Sequence, residues 1–131
     1  MNKRTFKSID GLELLVKNRK AAVIFEIVKV RVDKQYNFNF RFDPEIFKEL
    51  LEHIELVANQ SWDNLNPKEA NSLGADYWEY YDKELDNDGM LSIGASGLNI
   101  SRPSAESNRL YKFNKRKMES FIYDFRKLME G

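Results

Sequence analysis

The strongest constraint in this sequence is a change of hydrophobic period at Asp43-Pro44. Before it, Tyr36, Phe38, Phe40 and Phe42 alternate with Asn37, Asn39 and Arg41. That period of two puts aromatic rings on one face of a strand and polar groups on the other. After it, Ile46, Phe47, Leu50, Leu51, Ile54, Val57 and Ala58 fall within one apolar arc of a helix turning by about 100° per residue. The junction reads as a helix start. Asp is a good N-cap, Pro is favoured at the first helical position, and Glu45 suits the first turn. A half-buried strand running into an amphipathic helix makes α+β the expected fold class.

The remaining elements follow from the same two periods. Asp10-Gly11 separates two short apolar stretches, 5–9 and 12–16, as in a hairpin. Residues 21–32 are dense in β-branched side chains and read as a strand. Asp33-Lys34-Gln35 turns the chain, so 21–42 is expected to form an antiparallel hairpin. Residues 90–93 and 98–100 read as two further short strands around Ser96-Gly97, ended by Arg102-Pro103. The glycines at 89, 94 and 97 are read as hairpin punctuation. Residues 59–75 read as a long surface connection, with one turn of helix after Asn66. Residues 76–85 group Tyr77, Trp78, Tyr81 and Leu85 on one side of a helical wheel, and they alternate less cleanly as a strand. Asn114 can cap a final helix, in which Met118, Phe121, Ile122, Phe125, Leu128 and Met129 form an apolar stripe. The expected architecture is one domain over 1–131. It is a small antiparallel sheet of hairpins (about 21–42 and 90–101) packed by two amphipathic helices (about 44–58 and 115–129).

Size and composition agree. A chain of 131 residues suits one core. With 42% hydrophobic and 13% aromatic residues it has the core formers that disordered chains lack. No apolar run approaches the roughly 20 residues that span a bilayer, and the first ten residues carry no signal-peptide core. A cytoplasmic address is expected. The chain has no cysteine, so it has no disulfide, thiolate nucleophile or thiolate metal site.

Little in the sequence points to catalysis. His53 is the one histidine and sits at the border of an apolar arc, where a lone histidine is usually structural or simply exposed. No glycine-rich phosphate loop and no nucleophile elbow is present. Glu84, Asp86, Asp88 and Gly89 echo the first half of a calcium loop, but Ala95 stands where a bidentate Glu is required. The expectation is a non-enzyme with no metal and no cofactor.

The charge pattern is more informative. The chain carries 21 basic and 21 acidic side chains, yet residues 1–42 sum to +6, 43–90 to −10 and 91–131 to +4. Either folding lets the basic ends neutralise the middle, or an acidic pole survives and steers basic partners. Glu45, Glu49, Glu52 and Glu55 lie opposite the apolar arc of the first helix, either as its ordinary solvated face or as an acid ridge that extends the acidic pole. Asp76, Tyr77, Trp78, Glu79, Tyr80 and Asp82, with Tyr81, make an acidic aromatic stretch, which reads either as core rings with acids at the rim or as the kind of surface that anchors interfaces. Not all four rings can face inward, and Tyr80 is expected to be exposed. The basic stretch Arg109, Lys112, Lys115, Arg116 and Lys117 places cations in the first turn of a helix, where the macrodipole disfavours them. It reads either as an anion or nucleic-acid contact or as a counter-charge to the middle segment. The leading expectation is a small protein-binding inhibitor or regulator. It would use Glu49, Glu52 and the 76–82 stretch against a basic partner. In composition it resembles immunity proteins, antitoxins and phage-encoded inhibitors of host defence. The alternative is a nucleic-acid-binding module using 109–117.

Overall fold

The computed structural model of the chain describes residues 2–28, 35–69 and 77–130. Its elements run β1 (Lys3–Lys7), β2 (Glu13–Arg19), β3 (Ala22–Val28), β4 (Asn37–Arg41), α1 (Pro44–Ser61), β5 (Glu79–Asp82), β6 (Asn87–Ile93), β7 (Gly97–Ser101), β8 (Arg109–Phe113) and α2 (Lys115–Glu130). The fold is α+β, with two four-stranded antiparallel sheets in the orders β1-β2-β3-β8 and β4-β7-β6-β5.

The expected 21–42 hairpin does not form. β3 pairs with β2 on one side and β8 on the other, whereas β4 pairs with β7 in the second sheet. β2 reaches β3 through the two-residue turn Lys20-Ala21, and so short a loop closes at less entropic cost than the longer link to β4. Residues 22–25 are buried on both faces, which suits a central strand. The turn assigned to Asp33-Lys34 lies outside the described residues.

Both helices match their expected starts. Asp43 accepts a hydrogen bond from the Glu45 amide at the α1 N-terminus, and Asn114 accepts one from the Lys117 amide at the start of α2. The α1 arc is buried as its period requires, except that Ile46 is partly exposed, and His53 is buried with it. α1 runs three residues beyond the expected end. There Ser61 Oγ donates to carbonyls at Arg19 and Ala22, tying the helix to the β2–β3 turn. Residues 62–69 have no regular structure, so no helical turn directly follows Asn66; residues 70–75 lie outside the described part.

One core joins both sheets and both helices. Its aromatic rings form a continuous path from Phe38 through Phe40, Phe42 and Phe47 to Phe125. The path then passes through Phe121 and Phe113 to Tyr111 and Tyr80. Between the helices Phe47 stacks on Phe125, with ring centroids 4.4 Å apart. The stacked pairs and the edge-on pair among them add about 0.5–1.5 kcal/mol each to their burial.

Two glycines read as turn punctuation lie within strands. A Cβ at Gly97 would meet the Phe40 carbonyl oxygen at 2.2 Å, so β4 and β7 approach there as only glycine permits. Gly89 plays a similar part opposite Tyr80.

Candidate functional site

The acidic aromatic stretch is a strand and a bend, not a helix. β5 alternates exposed and buried residues, so Tyr80 and Asp82 point inward and Glu79 and Tyr81 outward. Tyr80 is 5% exposed and Tyr77 is also buried, whereas Trp78 is 50% and Tyr81 54% exposed. The expectation that Tyr80 would be the exposed ring is therefore overturned by strand parity. Asp76 lies outside the described residues.

The buried tyrosines have fixed roles. Tyr77 donates to Asp124 at 2.6 Å, Tyr111 donates to the Tyr77 carbonyl at 2.5 Å, and Tyr80 donates to the Leu110 carbonyl at 3.2 Å. Burial is the main cause that pushes all three hydroxyls well above the usual phenol range. Tyr81 is raised chiefly by its hydrogen bond to Asp86 at the surface.

Asp82 is structural. It is buried, bonds Arg109 Nη1 at 2.9 Å, and accepts from the amides of Glu84 and Leu85 in the following turn. Arg109 also reaches Glu84 at 3.1 Å. Glu49 is ion-paired to Arg4 at 2.6 Å, and Arg126 bonds Glu55. Glu52 is exposed on α1. α1 packs against β1, β2, β3 and α2, whereas β5 belongs to the other sheet. The structure thus separates Glu49 and Glu52 from the aromatic stretch.

The basic stretch is largely engaged within the chain. Besides Arg109, Lys117 Nζ donates to the Glu79 carbonyl, Arg116 donates to the Glu69 carbonyl, and Lys115 lies 3.7 Å from Glu119. Lys112 is exposed. Part of the stretch meets part of the acidic one in a depression of about 360 Å³, where Lys112, Asn114 and Lys117 face Tyr81, Asp82 and Glu84. The basic ends therefore pair with Glu49, Glu55, Asp82 and Glu84 of the acidic middle.

The outer side of β5 and β6 stays exposed. Tyr81 stands opposite Asp88, and Glu79 opposite Met90, which is 52% exposed. Asp86 is beside them in the turn. Trp78 and Met90 then form one wall of a groove of about 670 Å³ across the same sheet, whose other side chains include Asn37, Asn39, Ser92 and Asn99. Sequence reasoning missed these groove residues. The polar half of the alternation at 37–41 and 97–101 was visible, but nothing local said that three such strands lie side by side.

Among the described residues no three His, Asp or Glu side chains are grouped to hold a metal, and no helix is long and apolar enough to cross a membrane. Comparison with protein-family models, with curated proteins and with solved structures finds no match. The functional reading therefore rests on geometry alone.

Proposed function

We propose that the chain is a small non-enzymatic binding protein, of the inhibitor or regulator type. It would engage a basic protein surface through Trp78, Glu79, Tyr81, Asp86, Asp88 and Met90. The observation that carries this reading is one pairing of strands. Three large apolar side chains about half exposed stand on or beside β5 and β6, interleaved with carboxylates. Half-exposed indole and phenol rings are effective interface anchors, because they bury large area with few rotatable bonds. The carboxylates between them speed encounter with a basic surface. A cytoplasmic site of action belongs to the same proposal. The nucleic-acid reading has less support, since Arg109, Arg116 and Lys117 already bond within the chain.

The test is partner capture by the wild-type chain and by Trp78→Ala/Tyr81→Ala, with both melting curves measured. The expected result is a protein captured by the first and lost by the second at nearly unchanged melting temperature. Charge reversal at Glu79 and Asp88 should slow association most at low salt. Equal capture by the aromatic variant would overturn the reading, as would a partner retained only through nucleic acid.

A further inference from the structure

The groove on the second sheet has a chemistry of its own. Its floor crosses three consecutive residues on each of β4, β7 and β6. Phe38, Leu91 and Ile100 turn into the core, so the intervening polar residues face outward. The register sets them in two rows. Asn39 lies beside Asn99, and Asn99 beside Ser92. Asn37 lies beside Ser101, and Ser101 beside Met90. The half-exposed Trp78 and Met90 stand at one end.

Three properties narrow the occupant. The groove is lined by no charged side chain among the described residues. Phosphates and carboxylates would enter it without counter-charge, so nucleic acid and acidic ligands fit poorly. The side chains of Asn37, Asn39, Ser92, Asn99 and Ser101 make no hydrogen bond to other described residues. Each amide offers two donors and a carbonyl acceptor, and each hydroxyl is both donor and acceptor. A ligand that displaces their water must return donors and acceptors in similar number, or leave polar groups unsatisfied. Finally, the indole offers a flat apolar surface to a ligand that also has an apolar face.

A neutral sugar meets all three demands. Its hydroxyls donate and accept, it carries no charge, and the C–H face of its ring stacks on an indole. We propose that this groove binds a short neutral oligosaccharide, with Asn37, Asn39 and Asn99 reading its hydroxyls and Trp78 stacking on a ring. The inference is independent of the protein-binding reading and shares only Trp78 and Met90 with it.

The experiment titrates the full chain with tetrasaccharides of β-linked glucose, α-linked glucose, mannose and N-acetylglucosamine, following tryptophan fluorescence and amide chemical shifts. The expected result is a saturable response to at least one sugar, confined in the amide spectrum to β4, β6, β7 and the residues around Trp78. Asn39→Ala/Asn99→Ala should weaken it by about tenfold or more at unchanged melting temperature. Trp78→Phe should remove the fluorescence response, with Trp62 still emitting. No saturable response at millimolar sugar would overturn the proposal, as would binding that the asparagine variant leaves intact. A response only to a basic peptide or single-stranded DNA would overturn it too. Asn39 and Asn99 stand on other strands than Tyr81 and Asp88, so their variant should still capture a protein partner. The two readings can therefore fail separately.

Discussion

The ring of Tyr80 lies over Gly89, its partner across the β5–β6 ladder, so closely that a Cβ on Gly89 would sit 2.3 Å from Tyr80 Cε1. Tyr80 is locked on its other side by Tyr111, with centroids 4.2 Å apart, and by its bond to the Leu110 carbonyl. The ring therefore has nowhere to go. Gly89→Ala should destabilise the protein by about 1–3 kcal/mol, the usual range for overpacking. Combining it with Tyr80→Ala should cost less than the sum of the two single variants. Urea denaturation of all four proteins checks this, and strict additivity would mean that the two sites do not touch.

Arg109 and Asp82 form a salt bridge in which both partners are largely buried. Arg109→Met would leave the Asp82 carboxylate with only its two amide donors, at a cost of about 3 kcal/mol. Adding Asp82→Asn should recover part of that loss, because the carboxamide oxygen can still accept from Glu84 and Leu85. Glu84 is mostly exposed, so Glu84→Gln should cost under about 1 kcal/mol. Denaturant midpoints of the three variants test the order.

His53 packs on Phe6 with its Nε2 3.3 Å from the Val16 carbonyl oxygen. Burial lowers its pKa below 6.5, the Val16 carbonyl raises it somewhat, and Arg4 lowers it further. The unfolded chain therefore takes up this proton at a pH where the folded chain does not. The stability is complete above 6.5 and is lost as the pH falls through that value towards the folded pKa. Unfolding measured over about pH 5–8 should show the slope, and His53→Gln should flatten it.

Ala21 closes the β2–β3 turn at φ 61°, a left-handed conformation that a Cβ disfavours by about 1–2 kcal/mol. Glycine removes that strain but adds freedom to the unfolded chain worth about 0.4–1 kcal/mol. Ala21→Gly should thus stabilise the protein by up to about 1.6 kcal/mol. A rise in the urea midpoint at constant slope is the expected result, and a fall would show that the turn is unstrained.

The parts legible in the sequence were those decided locally. Asp43-Pro44, Asn114 and the two apolar arcs announce the helices, because caps and periods act within a few residues. The alternation at Phe38 and Phe40 announces a strand for the same reason. What stayed hidden depends on distant partners. β3 is flanked by β8, far along the chain, and no local pattern in 22–28 names that neighbour. Tyr80 turns inward and Tyr81 outward because of the register that Gly89 permits. Tyr77, Trp78, Tyr80 and Tyr81 looked alike in sequence, yet two are core and two are surface. The groove was hidden for the same reason, since its rows exist only once β4, β7 and β6 are aligned.

Arg4 with Glu49, Arg126 with Glu55, and Arg109 with Asp82 and Glu84 each join a basic end of the chain to its acidic middle. The consequence reaches back before the fold exists. Unfolded, the chain is a block copolymer of charge, +6, −10 and +4 in order. Its blocks attract over distances set by the Debye length, about 8 Å at physiological salt and longer in dilute buffer. The first contraction of the chain is thereby biased towards bringing both ends onto the middle. That is the long-range arrangement that the native β3–β8 pairing and the α1–α2 contact both need.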